Sequence, residues 1–387
     1  MLTLRPYQSD AVSFLLQGFV PGGEKTLIAP TGAGKSVIAI ATIQQLVSQG
    51  HRVWIIINRE ALLRSWLRDF GNVDPRLARQ VGIIADGFEE RYFAPVQICM
   101  IQTLVGKMQG LTRNRKLCPS VLVVDEAHTT GFGGSYDALR FLLPRAMQIN
   151  LTATPVRNPK DKERFEHRYP KANWHLASRI PELIDAGVWK CPKWIYPRQS
   201  LLDETLQKLQ GAPTNADGDY KLKSLREIML PMVDHHIDEW LSGEGDRYRN
   251  IWFCVDSIHA QIVTQQLKKR RIKTGLILGN IKKDERESIY EQTERQVFQL
   301  ISVGCLTYGF DLPAITGAVI LRPTRSWSLW FQMIGRALRK YPGQPTGYLW
   351  DMAYNSGELG YPEDVNWLNF NPYLEDLGVI ARSRIAC

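Results

Sequence analysis

Lys35 and Ser36 close the run APTGAGKS (29–36), which lies between the apolar stretch TLI and the helical pattern VIAIATIQQL. Gly32 and Gly34 let the loop's backbone N–H groups, with Thr31 and Ala33 completing it, converge on phosphate oxygens. Lys35 can reach the β and γ phosphates of a nucleotide, and the Ser36 hydroxyl can ligate magnesium. Ala29 stands where the usual pattern has its first glycine. Further on, VLVVDEAH (121–128) places Asp125 and Glu126 at the end of an apolar strand, where ligands of open α/β sheets bind. Asp125 suits a magnesium ion and Glu126 suits the hydrolytic water. The cradle alone would equally serve a kinase, a transporter ATPase or a GTPase.

Such groups need a sheet to hold them. KTLIA, RVWIIIN, VQICMI, SVLVVD and MQINLT are short β-branched runs of the kind buried on both faces, separated by stretches long enough for helices. The rhythm restarts with RNIWFCV, KTGLILG, FQLISVG, AVILRP and GYLWD. Between the first two of these, DSIHAQIVTQQLKKRR predicts a helix with Ile258, Ile262, Val263 and Leu267 on one face and Asp256 or Ser257 as cap. Two parallel α/β domains follow, joined by a polar, partly helical connection over 176–245 whose GAPTNADGD reads as a loop.

The chain has 387 residues, 44% of them hydrophobic, enough for a large core and for more than one domain. No apolar run approaches the roughly 20 residues that cross a bilayer, and the start MLTLRPYQSD lacks a secretory layout, so no membrane partner and a cytoplasmic location are expected, nucleoid-associated or in host cytoplasm if viral. The six cysteines (99, 118, 191, 254, 305 and 387) have no metal-ligand spacing and read as reduced, mostly core thiols. A net charge of +9 is compatible with a polyanionic partner without requiring one.

Motif by motif, the sequence resembles the superfamily 2 DEAD/DEAH-box helicases. LRPYQSDAV is similar to the family's Q-motif, which implies that the Gln8 amide reads the adenine edge, with Arg5 and Tyr7 adding ionic and stacking contacts. LTATP (151–155) resembles the motif whose hydroxyls, here Thr152 and Thr154, connect the DEAH carboxylates and His128 to the moving parts. GCLTYGFDLP (304–313) resembles motif V, bringing Thr307 to nucleic acid and Asp311 to the nucleotide. QMIGRALR (332–339) matches Q-x-x-G-R-x-x-R: Gln332 joins the catalytic set, and Arg336 and Arg339, on one side of a helix, would be arginine fingers for the γ-phosphate. The likeness runs from about residue 3 to about residue 362 and is strongest to RadD-like helicases, more distant to the UvsW and XPB group, although the RadD zinc-binding cysteines have no counterpart here.

The resemblance implies two tandem RecA-like domains with parallel sheets and an ATP cleft between them: domain 1 over 1–175, domain 2 over 246–355, and a tail over 356–387. It implies ATP and Mg2+ as cofactors and a DNA helicase or translocase gripping single-stranded or branched DNA through Arg59, Gln102, Thr103, Thr307, Thr324 and Arg325. An RNA helicase of the same mechanism and the motor subunit of a restriction or defence complex are the alternatives. GLTRNRK (110–116) reads as a solvated basic loop, Trp327 and Trp330 as core, and His235 and His236 as solvated helix residues. Only a few dozen residues follow the last motif, from which Trp367, Phe370 and Tyr373 are expected to pack on domain 2; this predicts a compact translocase that remodels branched or short-duplex DNA and takes a protein partner for long duplexes.

Overall fold

The structure, a computed structural model, describes residues 3–114, 116–156, 159–279, 281–304, 312 and 314–368. The chain divides into two units, the first built mainly from residues 1–156 and 161–179 and the second from 180–365.

Unit 1 holds a seven-stranded sheet, β3-β4-β2-β5-β6-β1-β7, in which every neighbouring pair is parallel. The strands are β1 (Glu24–Ile28), β2 (Val53–Ile57), β3 (Val81–Ile84), β4 (Val96–Met100), β5 (Val121–Val124), β6 (Met147–Thr152) and β7 (Trp174–Leu176). Every residue of β2, β5 and β6 is buried, as the continuous aliphatic runs require of strands covered on both faces.

Unit 2 holds a six-stranded, again wholly parallel sheet, β10-β11-β9-β12-β13-β8. Its strands are β8 (Cys191–Ile195), β9 (Asn250–Phe253), β10 (Thr274–Ile277), β11 (Gln299–Ser302), β12 (Gly317–Ile320) and β13 (Thr346–Asp351). Trp240, Trp252 and Trp350 anchor its core with Val263, Leu267 and Val319. The segment read from sequence as a connection therefore contributes an edge strand and helices to unit 2.

Several local expectations need correction. Asp256 does cap the helix Ser257–Lys269, accepting from the His259 N–H, but Ile258 is exposed; His259 and Ala260 take the inner positions with Val263 and Leu267, because the buried stripe runs 259/260, 263, 267. His236 is fully buried rather than solvated, since it falls on the 233, 236, 237, 240 stripe of the helix Val233–Ser242. Residues 110–113 of the basic loop continue the helix Ile101–Arg113, held by buried Leu111. Cys99 and Cys254 are buried, whereas Cys191 is exposed at the sheet edge. Trp327 and Trp330 are core residues, donating indole N–H groups to Leu359 O and Gly360 O. Trp367 is buried but groups with unit 1 rather than with unit 2, and Phe370 and Tyr373 lie outside the described residues. No helix among the described residues is long and apolar enough to cross a membrane.

Candidate active site

Three neighbouring strands of unit 1, β5, β6 and β1, end at the same edge and carry the acidic pair, the Thr-Ala-Thr segment and the glycine loop. The Ala29 N–H donates to Thr152 O at 2.9 Å, stitching the loop's first residue to the end of β6. Gly32 and Gly34 adopt left-handed φ of 86° and 84°, the conformation that lets a phosphate cradle turn and that side chains resist. Lys35 opens the following helix, Lys35–Ser48, and its Nζ lies 2.8 Å from Asp125 Oδ1 and 2.8 Å from Glu126 Oε1. Burial opposes the Lys35 charge, but the two carboxylates more than offset it and hold its pKa above the ordinary lysine value.

Behind this triad runs a chain of hydrogen bonds. Glu126 itself has a left-handed backbone, φ 48°, and its N–H donates to Asp125 Oδ1 at 2.9 Å. Thr152 Oγ1 donates to Thr154 O (2.9 Å), and the Thr154 N–H donates back to it at 3.1 Å. With its one proton spent, the Thr152 hydroxyl must accept from His128 Nδ1 at 2.9 Å, which fixes the proton of that imidazole on Nδ1. The same nitrogen lies 3.5 Å from Glu126 Oε2. Lys35, Asp125, Glu126, His128, Thr152 and Thr154 are thus one cluster.

The oxygen-rich donor set also fits a divalent cation. Asp125 Oδ1 and Glu126 Oε1 already converge on one cationic group, and Ser36 is half-buried in the first turn of the helix that Lys35 opens.

Gln8 clasps the cradle. Its Nε2 donates to Ala33 O at 3.1 Å while its Oε1 accepts from the Arg5 N–H at 3.0 Å, and the Tyr7 hydroxyl donates to the same Ala33 carbonyl at 2.9 Å. Among the described residues these two bonds leave one amide N–H and one lone pair of Gln8 over, the donor and acceptor that an adenine edge would need. Arg5 itself is exposed.

Of the expected nucleic-acid contacts, Gln102 is exposed in the first turn of the helix after β4 and lines a cavity of about 200 Å3 with Asn58, Thr129 and Gly133. Thr103, beside it, is half-buried, and Arg59 is exposed just before the helix Glu60–Val73. In unit 2, Thr324 is buried and Arg325 exposed, and both bond to Asp219, which the sequence did not single out. Gln332 is buried, its Nε2 donating to Ser328 Oγ at 3.3 Å. Thr307 and Asp311 lie outside the described residues.

The two arginines do not share one helix. Arg336 is buried in the helix Trp327–Ala337, but that helix stops before Arg339, which sits in an antiparallel bridge with Trp189. The Lys190 N–H to Leu338 O (2.7 Å) and Lys340 N–H to Val188 O (3.2 Å) bonds draw the chain out of the helix there. Also missed from sequence were Trp66, Asn58 and Thr129; Trp66 Nε1 donates to Asp125 Oδ2, and Thr129 Oγ1 donates to Glu126 O while accepting from Asn58 Nδ2.

A parallel sheet whose β1 runs into a phosphate cradle, with an acidic strand end two places away in the same sheet, defines the P-loop nucleotide-binding class. Residues 1–157 match the family described as Type III restriction enzyme, res subunit, and residues 232–341 match the Helicase conserved C-terminal domain. The chain belongs to superfamily 2 of the helicases, with its tandem RecA-like fold. It is similar to IRC3 of Saccharomyces cerevisiae, an ATP-dependent helicase by name, at 26% identity over 87% of this chain and 49% of that one. It is likewise similar to the endonuclease subunit of the Type I restriction enzyme EcoKI of Escherichia coli, at 27% identity over 88% of this chain and 33% of that one. The chain therefore spans about half of the first relative and a third of the second. A solved HsdR subunit fragment of a type I restriction enzyme from Vibrio vulnificus shares the fold, with a TM-score of 0.67 at 18% identity, covering 97% of this chain and 68% of that one. These matches fix the superfamily and leave the RadD branch as a resemblance.

Proposed function

We propose that the chain is a DNA-directed, ATP-dependent helicase or translocase that moves on and remodels branched or short-duplex DNA. The observation that carries this reading is the ion triad of Lys35 with Asp125 and Glu126, at 2.8 Å each, beside a left-handed glycine loop. A nucleotide's phosphates would be cradled by the loop N–H groups, with the Lys35 ammonium already aimed by the carboxylates. Ser36 and Asp125 would hold Mg2+, which when bound neutralises phosphate charge. Glu126 would orient and deprotonate the attacking water, and the Thr152–His128 pair, holding a proton on Nδ1 beside Glu126 Oε2, would keep that carboxylate in place. Arg336 and Arg339 of unit 2 are proposed to bring positive charge to the γ-phosphate. Strand grip would rest on phosphate contacts, independent of sequence and weakened by salt.

The matches to restriction-enzyme subunits favour a second reading, in which the chain is the motor of a restriction or defence complex. ATPase rates with single-stranded, duplex, forked and RNA ligands test the first reading: stimulation by DNA and not by matched RNA supports it, and the reverse replaces DNA by RNA. Purification from its native cells with a nuclease bound would favour the second.

A further inference from the structure

Asp219, in the turn-rich segment 211–219 of unit 2, accepts hydrogen bonds from the Thr324 hydroxyl, at 3.0 and 3.1 Å to its two oxygens, and from the Arg325 N–H at 2.8 Å. Arg322 Nη2 stands 3.8 Å from Oδ2. A hydroxyl, a backbone amide and a guanidinium converging on one anion are the groups that hold nucleic-acid phosphates. Thr324 and Arg325 are also the residues assigned above to the nucleic-acid backbone, so a carboxylate stands where a phosphate is expected. The Arg325 guanidinium lies 4.9 Å from the centre of the ring of Tyr220, the residue that follows this segment. Beside them opens a cavity of about 380 Å3 lined by Gln207, Gln210, Tyr220, Thr324, Arg325 and Asn355.

Two further features argue for more than a structural cap. Arg322 is largely buried, its pKa lowered by that burial and opposed by Asp219, and its Nε has no hydrogen-bond partner among the described residues. At 3.8 Å the Asp219 carboxylate stays beyond hydrogen-bond reach of that guanidinium, whereas a tetrahedral phosphodiester spreads its oxygens more widely. The segment also closes on itself, through Asn215 N–H to Asp219 O (2.7 Å), Gly218 N–H to Asn215 O (3.1 Å) and Lys221 N–H to Pro213 O (2.9 Å), so it can lift as a unit.

We propose that Asp219 is an internal stand-in for a backbone phosphate: the segment 211–219 covers the seat formed by Thr324, the Arg325 N–H and Arg322, and an incoming single strand displaces it. This rests on the nucleic-acid reading above. Asp219→Asn should bind a labelled twenty-nucleotide oligo-dT several-fold more tightly than the parent in fluorescence anisotropy, a gain that damage to the fold does not produce. Asp217→Asn removes an equal charge from the same segment and should change affinity little, and Thr324→Val should erase the gain of Asp219→Asn. In the parent, amides 215–220 should exchange hydrogen faster when oligo-dT is bound, a measurement that needs no variant. Affinity unchanged or lowered in Asp219→Asn, an equal gain in Asp217→Asn, or exchange unchanged or slowed overturns the inference while the nucleic-acid reading stands. If the parent binds neither oligo-dT nor RNA, both fall together.

Discussion

Trp66 donates its indole N–H to Asp125 Oδ2 at 2.9 Å, tying the helix Glu60–Val73 to the acidic end of β5. Since Asp125 Oδ1 meets both Lys35 Nζ and the Glu126 N–H, both oxygens of the proposed magnesium ligand are oriented by the protein. Trp66→Phe keeps the ring bulk and removes the donor, leaving a buried carboxylate oxygen short of a partner at a cost of about 1–3 kcal/mol. The variant should unfold at lower urea and need more Mg2+ for half-maximal ATPase. A parental Mg2+ titration would show that this bond does not orient the carboxylate.

The Lys35 triad separates binding from turnover. Lys35→Ala removes the phosphate anchor and leaves Asp125 and Glu126 without their shared cation, so fluorescent-nucleotide binding should be lost. Glu126→Gln should bind ATP and not hydrolyse it. Arg339→Ala should hydrolyse about 10³-fold more slowly with saturating DNA. Parental turnover in Arg339→Ala would remove that residue from the proposed chemistry.

Gly34 and Gln8 are coupled by space. Gly34 has φ +84°, and a Cβ there would lie 2.5 Å from Gln8 Nε2. Gly34→Ala should therefore weaken ATP binding both by backbone strain and by pushing Gln8 off the Ala33 carbonyl. Adding Gln8→Ala should restore part of the loss by relieving the clash, while lowering the preference for ATP over GTP. Strictly additive losses in calorimetry would show that the two side chains do not share that space.

Two buried histidines make unit 2 sensitive to acid. Burial, with His259, His235 and Lys208 nearby, lowers the His236 pKa to about 3; burial lowers that of His259 to about 4 against the opposing pull of Asp256. The unfolded chain takes up these protons below the ordinary value of about 6.5, and the folded chain refuses them until about 4 and about 3. Stability should thus be intact above pH 6.5 and fall as pH drops, by up to about 1.4 kcal/mol per unit for each histidine. Urea midpoints at pH 7.5 and 5.5 measure the drop, and His236→Leu should reduce it. An equal drop in that variant would assign the acid sensitivity elsewhere.

How much of this was legible in the sequence follows from burial. The ten strand runs read from the sequence are all present: nine are central parallel strands, aliphatic on both faces, and the tenth, β10, is an edge strand that still carries the apolar run LIL. The three strands missed, β3, β7 and β8, are all sheet edges, and β8 alternates exposed and half-buried residues that carry no continuous apolar signal. Lys35, Asp125 and Glu126, which the fold brings together, were singled out because a phosphate cradle needs glycines at fixed offsets and because two carboxylates follow directly on an apolar strand. Trp66 and Asp219 were not, because a single tryptophan on a helix face or an aspartate in a turn looks like packing or solvation until the chain is folded. Arg339 was misplaced for a related reason: the i, i+3 spacing suits a helix, and the pairing with Trp189 that ends it comes from a segment far away in sequence.

Thr129 links the candidate strand cavity to the candidate base. Its hydroxyl donates to Glu126 O at 3.0 Å, accepts from Asn58 Nδ2 at 3.3 Å, and lines with Asn58 and Gln102 the cavity at the end of β2 and β4. A strand seated there would press on Asn58 and Thr129, and the carbonyl they hold belongs to the residue whose left-handed backbone aims the Glu126 carboxylate. Thr129→Val is nearly isosteric and removes both hydrogen bonds. It should leave ATPase without nucleic acid and oligonucleotide affinity close to the parent's, while the stimulated rate falls toward the unstimulated one. Thr129→Ser, which keeps the hydroxyl, should recover stimulation. Equal loss of basal and stimulated rates in Thr129→Val would mean that the residue supports the fold of the site, and undiminished stimulation would mean that the signal reaches Glu126 by another route.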